Sequence, residues 1–194
     1  MPQETRSVSF GGKTMQTPLF TGHTYILTIG IDQYSGLPKL RNAVKDARDV
    51  TALLTSKYQF ESQNVITLFD ADATQGNIFN ALGSLIEVVK PEDIVLIYFA
   101  GHGILQNNIE EGYWIPVDGE RNNYGSFIAN SLITKYLKSI KSLHTLVVAD
   151  ACFAGAMFGE RDLKDLSIQR QEKLNSRWLL TSCRDTTSID AVNK

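Results

Sequence analysis

Short apolar runs alternate with amphipathic stretches along this chain, and that alternation restricts its fold more than any other feature. Tyr25 to Ile31, Val65 to Phe69, Ile94 to Phe99, Thr145 to Ala149 and Arg177 to Thr181 read as strands, being short and rich in β-branched and aromatic residues. Between them lie helical stripes. From Leu40, apolar residues recur at 43, 44, 47, 50, 54 and 58. Ile78, Leu82, Leu85, Ile86 and Val89 form a second stripe, stopped by Pro91. Ile128, Leu132, Ile133, Tyr136, Leu137 and Ile140 form a third. Each stripe repeats at the period of a helix with one buried face. Strands that alternate with helices across short connections build βαβ units with right-handed crossovers, hence an α/β fold with a mostly parallel sheet.

At 194 residues the chain suits one such domain and is short for two. Residues 1 to 22 mix Gln, Ser, Thr and Gly without periodicity and read as a flexible arm. Residues 23 to 194 form the domain, with a charge-rich exposed linker at 159 to 177. The polar stretch from Gln106 to Gly125 is interrupted at Tyr113 to Val117, read as a small hairpin edge. A formal net charge of −2 gives no reason to expect nucleic acid or an anionic membrane as partner. No apolar run approaches the roughly 20 residues of a membrane span, and the N-terminus lacks the order of a secretory signal. Two cysteines argue for a reducing compartment, so a cytoplasmic location is expected.

Two strands end in residues able to do chemistry. Leu146 to Ala149 breaks at Asp150, places Cys152 just beyond, and runs into Phe153-Ala154-Gly155. Ile94 to Phe99 is followed by Ala100-Gly101-His102-Gly103. Carboxyl ends of strands are where α/β sheets hold their sites. Neighbouring parallel strands would set the Cys152 thiol beside the His102 imidazole. A thiol is a weak nucleophile near neutrality until a base takes or shares its proton. The amides of Gly103 and Cys152 are candidates for an oxyanion hole. Cys152 read alone is equally a small buried hydrophobe. His23 and His144 stand at strand entrances, the wrong ends for this site.

Tyr98-Phe99-Ala100-Gly101-His102-Gly103 and Asp150-Ala151-Cys152-Phe153-Ala154-Gly155 resemble the two catalytic motifs of caspase-like cysteine proteases. The match is closer to metacaspases and bacterial orthocaspases than to animal caspases, whose cysteine follows Gln-Ala; here Asp150 stands where they have Gln. The resemblance spans most of residues 24 to 185. It implies the caspase-like fold, a central sheet with helices on both faces in three layers. It also implies an endopeptidase with a Cys152–His102 dyad that cleaves proteins or peptides after Arg or Lys. The pocket carboxylates would be Asp150 and Asp46, beside Ala100. Ala100 and Ala43 replace the Ser or Cys that family members often carry. Two carboxylates in a partly dry pocket pair with a guanidinium and repel an acidic side chain. From periodicity alone Asp46 is equally a helix-surface charge on the margin of its stripe.

The linker offers Arg161, Lys164, Arg170, Lys173 and Arg177 as sites of self-cleavage, or as a solvated charged face. The resemblance requires no cofactor. Calcium is a candidate activator, although Asp70, Asp72, Glu110, Glu111 and Asp118 lack the spacing of an EF-hand loop, and no metal site is assigned. The family domain continues past the fifth strand with a further strand and helix, so a C-terminal fragment of the same precursor is an expected partner. Cys183 is read as a packed residue near the pocket, and Trp178 and Tyr113-Trp114 as core or rim. Two rival readings are an inert caspase-like scaffold and a flavodoxin-like binding domain. The latter would need a phosphate loop after the first strand, and Asp32-Gln33-Tyr34-Ser35 is not one.

Overall fold

A computed structural model describes residues 7–10, 13–16, 20–58, 60–151 and 176–181. Five parallel strands form the central sheet: β3 (Thr24–Gly30), β4 (Val65–Phe69), β5 (Ile94–Ala100), β9 (His144–Asp150) and β10 (Ser176–Thr181). Their spatial order is β10-β9-β5-β3-β4. Ahead of them, β1 (Ser7–Phe10) and β2 (Lys13–Gln16) pair as an antiparallel hairpin within the segment read as an arm.

Strand alternation divides the sheet into two faces, and each face takes different helices. Leu27, Ile29, Ile97, Phe99, Val147 and Ala149 pack with Ile78, Leu82 and Leu85 of α2 (Gln75–Val88) and with Ile133 and Leu137 of α3 (Asn130–Ser139). Tyr98 and Ala100 face the other way, against Ala43 and Ala47 of α1 (Ala43–Lys57). The expected three layers are therefore present.

The α1 layer is thin because small residues make its contact. A Cβ on Gly30 would lie 2.8 Å from the Ala43 carbonyl oxygen and 2.8 Å from the Ala47 methyl, so only glycine lets the helix settle on this strand end. The larger residues read into the stripe lie at its margin, and Tyr58 is exposed.

One reading is corrected and another extended. The third helix begins at Asn130, because Ile128 and Ala129 form the short strand β8 paired with Tyr113 and Trp114. The expected hairpin edge is present as β7 (Glu111–Trp114), paired with β6 (Gly103–Gln106) on one side and β8 on the other in a three-stranded antiparallel sheet that reaches beyond the polar stretch at both ends. Its strands are too short to show a period of two. They are held by long-range packing, with Trp114 1 % exposed and stacked on Phe99 at 4.2 Å between ring centroids.

The connections from β3 and β5 leave the sheet on opposite faces, through α1 and α3 respectively. The carboxyl ends of these two neighbours therefore frame a topological switch point, the crevice where open α/β sheets bind ligands.

Candidate active site

β5 and β9 run side by side in parallel, and their last registered pair is Ala100 with Asp150. The Gly101 amide continues the contact by donating to the Asp150 carbonyl at 3.3 Å. His102 thus lies two residues past its strand's final pair, and Cys152 lies two residues past the partner. Cys152 itself is outside the described residues, as are Cys183, Arg161, Lys164, Arg170 and Lys173.

His102 is held from three directions. Its backbone N–H donates to the Tyr34 hydroxyl at 2.9 Å, and that hydroxyl donates onward to the Ile115 carbonyl at 3.0 Å. Its carbonyl accepts from the Ile115 amide at 2.9 Å. Its ring lies against the Tyr34 ring at 4.7 Å, tilted by 47°, and its Nε2 is 2.7 Å from the Pro38 carbonyl oxygen. A carbonyl can only accept, so Nε2 carries the proton in this bond and the neutral ring keeps its lone pair on Nδ1. Gly101 is required here, since a Cβ would come within 2.6 Å of the Tyr34 hydroxyl. Tyr34 is 2 % exposed, and burial above all pushes its phenol well above the usual range; the carboxylates of Asp32 and Asp70 add to the rise.

The loop that carries Tyr34 and Pro38 is fixed by two aspartates. Asp32 accepts from the amides of Ala43 at 2.9 Å and Val44 at 3.3 Å, so it caps α1 from eleven residues away while Asn42, at the cap position, makes no side-chain cap. Asp70, in the left-handed region at φ 46°, accepts from the amides of Asp32 at 2.7 Å and Gln33 at 2.9 Å. Sequence reasoning gave none of Asp32, Tyr34, Pro38 or Asp70 a role at the site. The usable signal was that Asp32 and Tyr34 follow β3 at the same sheet edge as His102.

The Ile115-to-His102 bond makes Gly103 and Trp114 a non-hydrogen-bonded pair of the β6–β7 ladder. The Gly103 N–H therefore points away from β7, off the open edge of the small sheet.

Ala100 packs with Ala43 and Ala47 of α1, the helix that carries Asp46, and its registered partner on β9 is Asp150. By alternation Asp150 shares a face with Val148, a neighbour of the cluster holding Tyr98, Ala100, Ala43 and Ala47. Asp150 is exposed and Asp46 half-buried on α1. Both carboxylates act on Tyr98, whose phenol is pushed up to about 12, first by burial and then by Asp150 and Asp46. Arg41 is exposed.

Other residues singled out lie elsewhere. Arg177 belongs to β10 and pairs with Thr145, so its backbone is held in the sheet. Trp178 is exposed on that strand, Trp114 is core and Tyr113 half-buried. His23 precedes β3, with its ring 3.2 Å from Glu61, and His144 opens β9, both at the amino end of the sheet. Several of the acidic residues considered for calcium take backbone amides: Asp118 that of Gln75, Glu111 that of Ser131, Asp70 those of Asp32 and Gln33. Among the described residues no helix is long and apolar enough to cross a membrane.

Comparison with known proteins fits this geometry. The family model described as the caspase domain matches residues 23–191. Metacaspase-1B of Aspergillus terreus is 30 % identical over 172 residues, covering 79 % of this chain and 45 % of the relative. Metacaspase-1 of Eremothecium gossypii is 24 % identical over 171 residues, covering 80 % and 37 %. The chain thus spans less than half the length of these relatives. The crystal structure of protein GSU0716 from Geobacter sulfurreducens has the same fold, with a TM-score of 0.56 at 20 % identity over 67 % of this chain and 50 % of that one. A match running through both strand-end motifs and the strand that opens the sheet leaves one conclusion: the chain belongs to the caspase-domain family of cysteine peptidases, in its metacaspase-like branch.

Proposed function

We propose that this chain is a cysteine endopeptidase that cleaves proteins after Arg or Lys with a Cys152–His102 dyad. The observation that carries the reading is the Ala100–Asp150 register, which ends two adjacent parallel strands level with each other, each two residues short of a dyad member. The bond from Nε2 to Pro38 leaves Nδ1 as the base. That nitrogen takes the thiol proton as sulfur adds to the scissile carbonyl. The amides of Gly103 and Cys152 hold the developing oxyanion, where one donor is typically worth about 2.7–4 kcal/mol of barrier. The imidazolium then protonates the departing amine, leaving a thioester. Water, deprotonated by the same imidazole, hydrolyses the thioester and returns the thiol.

Asp46 and Asp150 select the basic side chain, and Ala100 leaves it room. Self-processing belongs to the stretch before β10, at Arg161, Lys164, Arg170 or Lys173 rather than at Arg177, whose strand pairing withholds it from an extended cleft.

A peptide with Arg before a fluorogenic amide tests this. The parent should turn it over, Cys152→Ala should not, and Asp150→Ala should lose most activity toward Arg while keeping its fold. Equal cleavage by Asp150→Ala and the parent would refute the pocket assignment. Intact mass after incubation, parent against Cys152→Ala, reads self-processing and its position.

A further inference from the structure

We propose that β6 is the docking edge for the substrate chain beyond the cut: the residues that follow the scissile bond add to it as a parallel strand. The inference rests on the proposed endopeptidase reading and extends it to the leaving side of the substrate.

The edge comes first. In the small sheet β7 is central, and among the described residues nothing pairs with β6 on its outer side. The bond from the Ile115 amide to the His102 carbonyl, followed by an unbroken register from Gly103–Trp114 to Gln106–Glu111, fixes which backbone groups face out. Ile104 and Gln106 turn theirs toward β7. Gly103 and Leu105 turn theirs, N–H and C=O alike, away from it. Natural proteins ordinarily blunt an open edge with a charge, a proline or a bulge. β6 is Gly-Ile-Leu-Gln, uncharged, half-buried and paired over four consecutive rungs without a bulge. The opposite edge shows the contrast, since β8 has two residues and runs straight into α3. An unprotected edge of this kind is a template for one more strand.

Place decides the occupant. β6 begins one residue after His102, and its first N–H is the proposed oxyanion donor of Gly103. The imidazole protonates the departing amine, so it stands on the leaving side of the scissile bond. A substrate that continues from there meets β6 and runs in the same direction. With the scissile carbonyl on the Gly103 N–H, parallel pairing sets the next two bonds. The Gly103 carbonyl accepts from the N–H of the second leaving residue, and the Leu105 N–H donates to that residue's carbonyl. The N–H of the third leaving residue then points away from β6. All of these bonds are to backbone, so this side of the site selects an extended segment rather than particular side chains.

Internally quenched peptides with Arg before the cut test the proposal on the parent protein. One peptide carries a single residue after the cut and another carries four. Two further copies of the longer peptide carry an N-methyl group, on the second or on the third leaving residue. A backbone hydrogen bond corresponds to about fivefold in kcat/KM. The four-residue peptide should outrun the one-residue peptide by more than about fivefold. N-methylation of the second leaving residue should cost at least about fivefold, and that of the third less than about twofold. No gain from the longer peptide, or equal losses at the two positions, overturns the proposal.

Leu105→Pro makes the same cut from the protein side, because an edge position whose N–H faces outward accepts proline. In this variant the advantage of the four-residue peptide over the one-residue peptide should shrink about fivefold, and an undiminished advantage overturns the proposal. If the variant does not fold, the N-methyl series decides. An Arg fluorogenic amide, which has no leaving residues, reads the endopeptidase chemistry by itself. Turnover of that amide without any gain from leaving residues ends this inference and keeps the reading, whereas turnover of no substrate ends both.

Discussion

His102 and its neighbours show how much of the site depends on residues that do no chemistry. Tyr34 joins the His102 amide to the Ile115 carbonyl, so Tyr34→Phe keeps the ring contact and strands two partly or wholly buried backbone groups. We expect a stability loss of about 1–3 kcal/mol in urea unfolding. The proposed peptidase should also lose about tenfold in kcat with KM little changed, because the imidazole drifts while the pocket stays. A fall in KM-controlled terms alone would place Tyr34 in the pocket instead. Gly101→Ala attacks the same junction from the other side, through a methyl 2.6 Å from the Tyr34 hydroxyl. Overpacking of this kind costs about 1–3 kcal/mol, measurable by the same unfolding experiment.

At the scale of elements, α1 is the part whose placement the chain works hardest to secure. Its first-turn amides are met by Asp32 from the end of β3, and Asp70 in turn holds the backbone of Asp32 and Gln33. Asp32→Ala should cost about 1–2 kcal/mol, as for loss of a strong helix cap. It should also lower turnover, since the loop it anchors presents the Pro38 carbonyl to His102. An Asp32→Ala protein with parental stability would show that another group caps the helix. These contacts explain what was and was not legible beforehand. Strands such as Val65–Phe69 announce themselves by local composition, and His102 by its place after one of them. The Tyr34–Ile115 bond joins residues 81 apart in sequence, and the Asp32 cap stands outside the helix's own flanking residues, where cap rules look. Of the small antiparallel sheet only the edge at Tyr113 to Val117 was legible, for the same reason: strands of two to four residues exist through pairing with one another, not through local pattern.

For the whole molecule, the two buried phenols set an alkaline limit. Tyr34 and Tyr98 both hold their protons more tightly when folded, Tyr98 up to about 12 against the ordinary 10.0. Unfolded chains release these protons from pH 10 upward while the folded chain keeps them. The associated stability is complete below pH 10 and is lost as pH rises toward 12. Urea unfolding followed across that window should show a falling midpoint, and Tyr98→Phe should flatten the fall. An identical slope in parent and variant would mean that the Tyr98 phenol titrates as it does in water.

The central claim is that the Cys152 thiol and the His102 imidazole share one site, and reaction of the thiol reports it most directly. Iodoacetamide alkylation of Cys152 near neutral pH, located by peptide mass spectrometry with Cys183 as internal reference, should slow by more than about tenfold in His102→Ala as the thiolate population falls. Equal rates at Cys152 in the parent and His102→Ala would contradict the dyad.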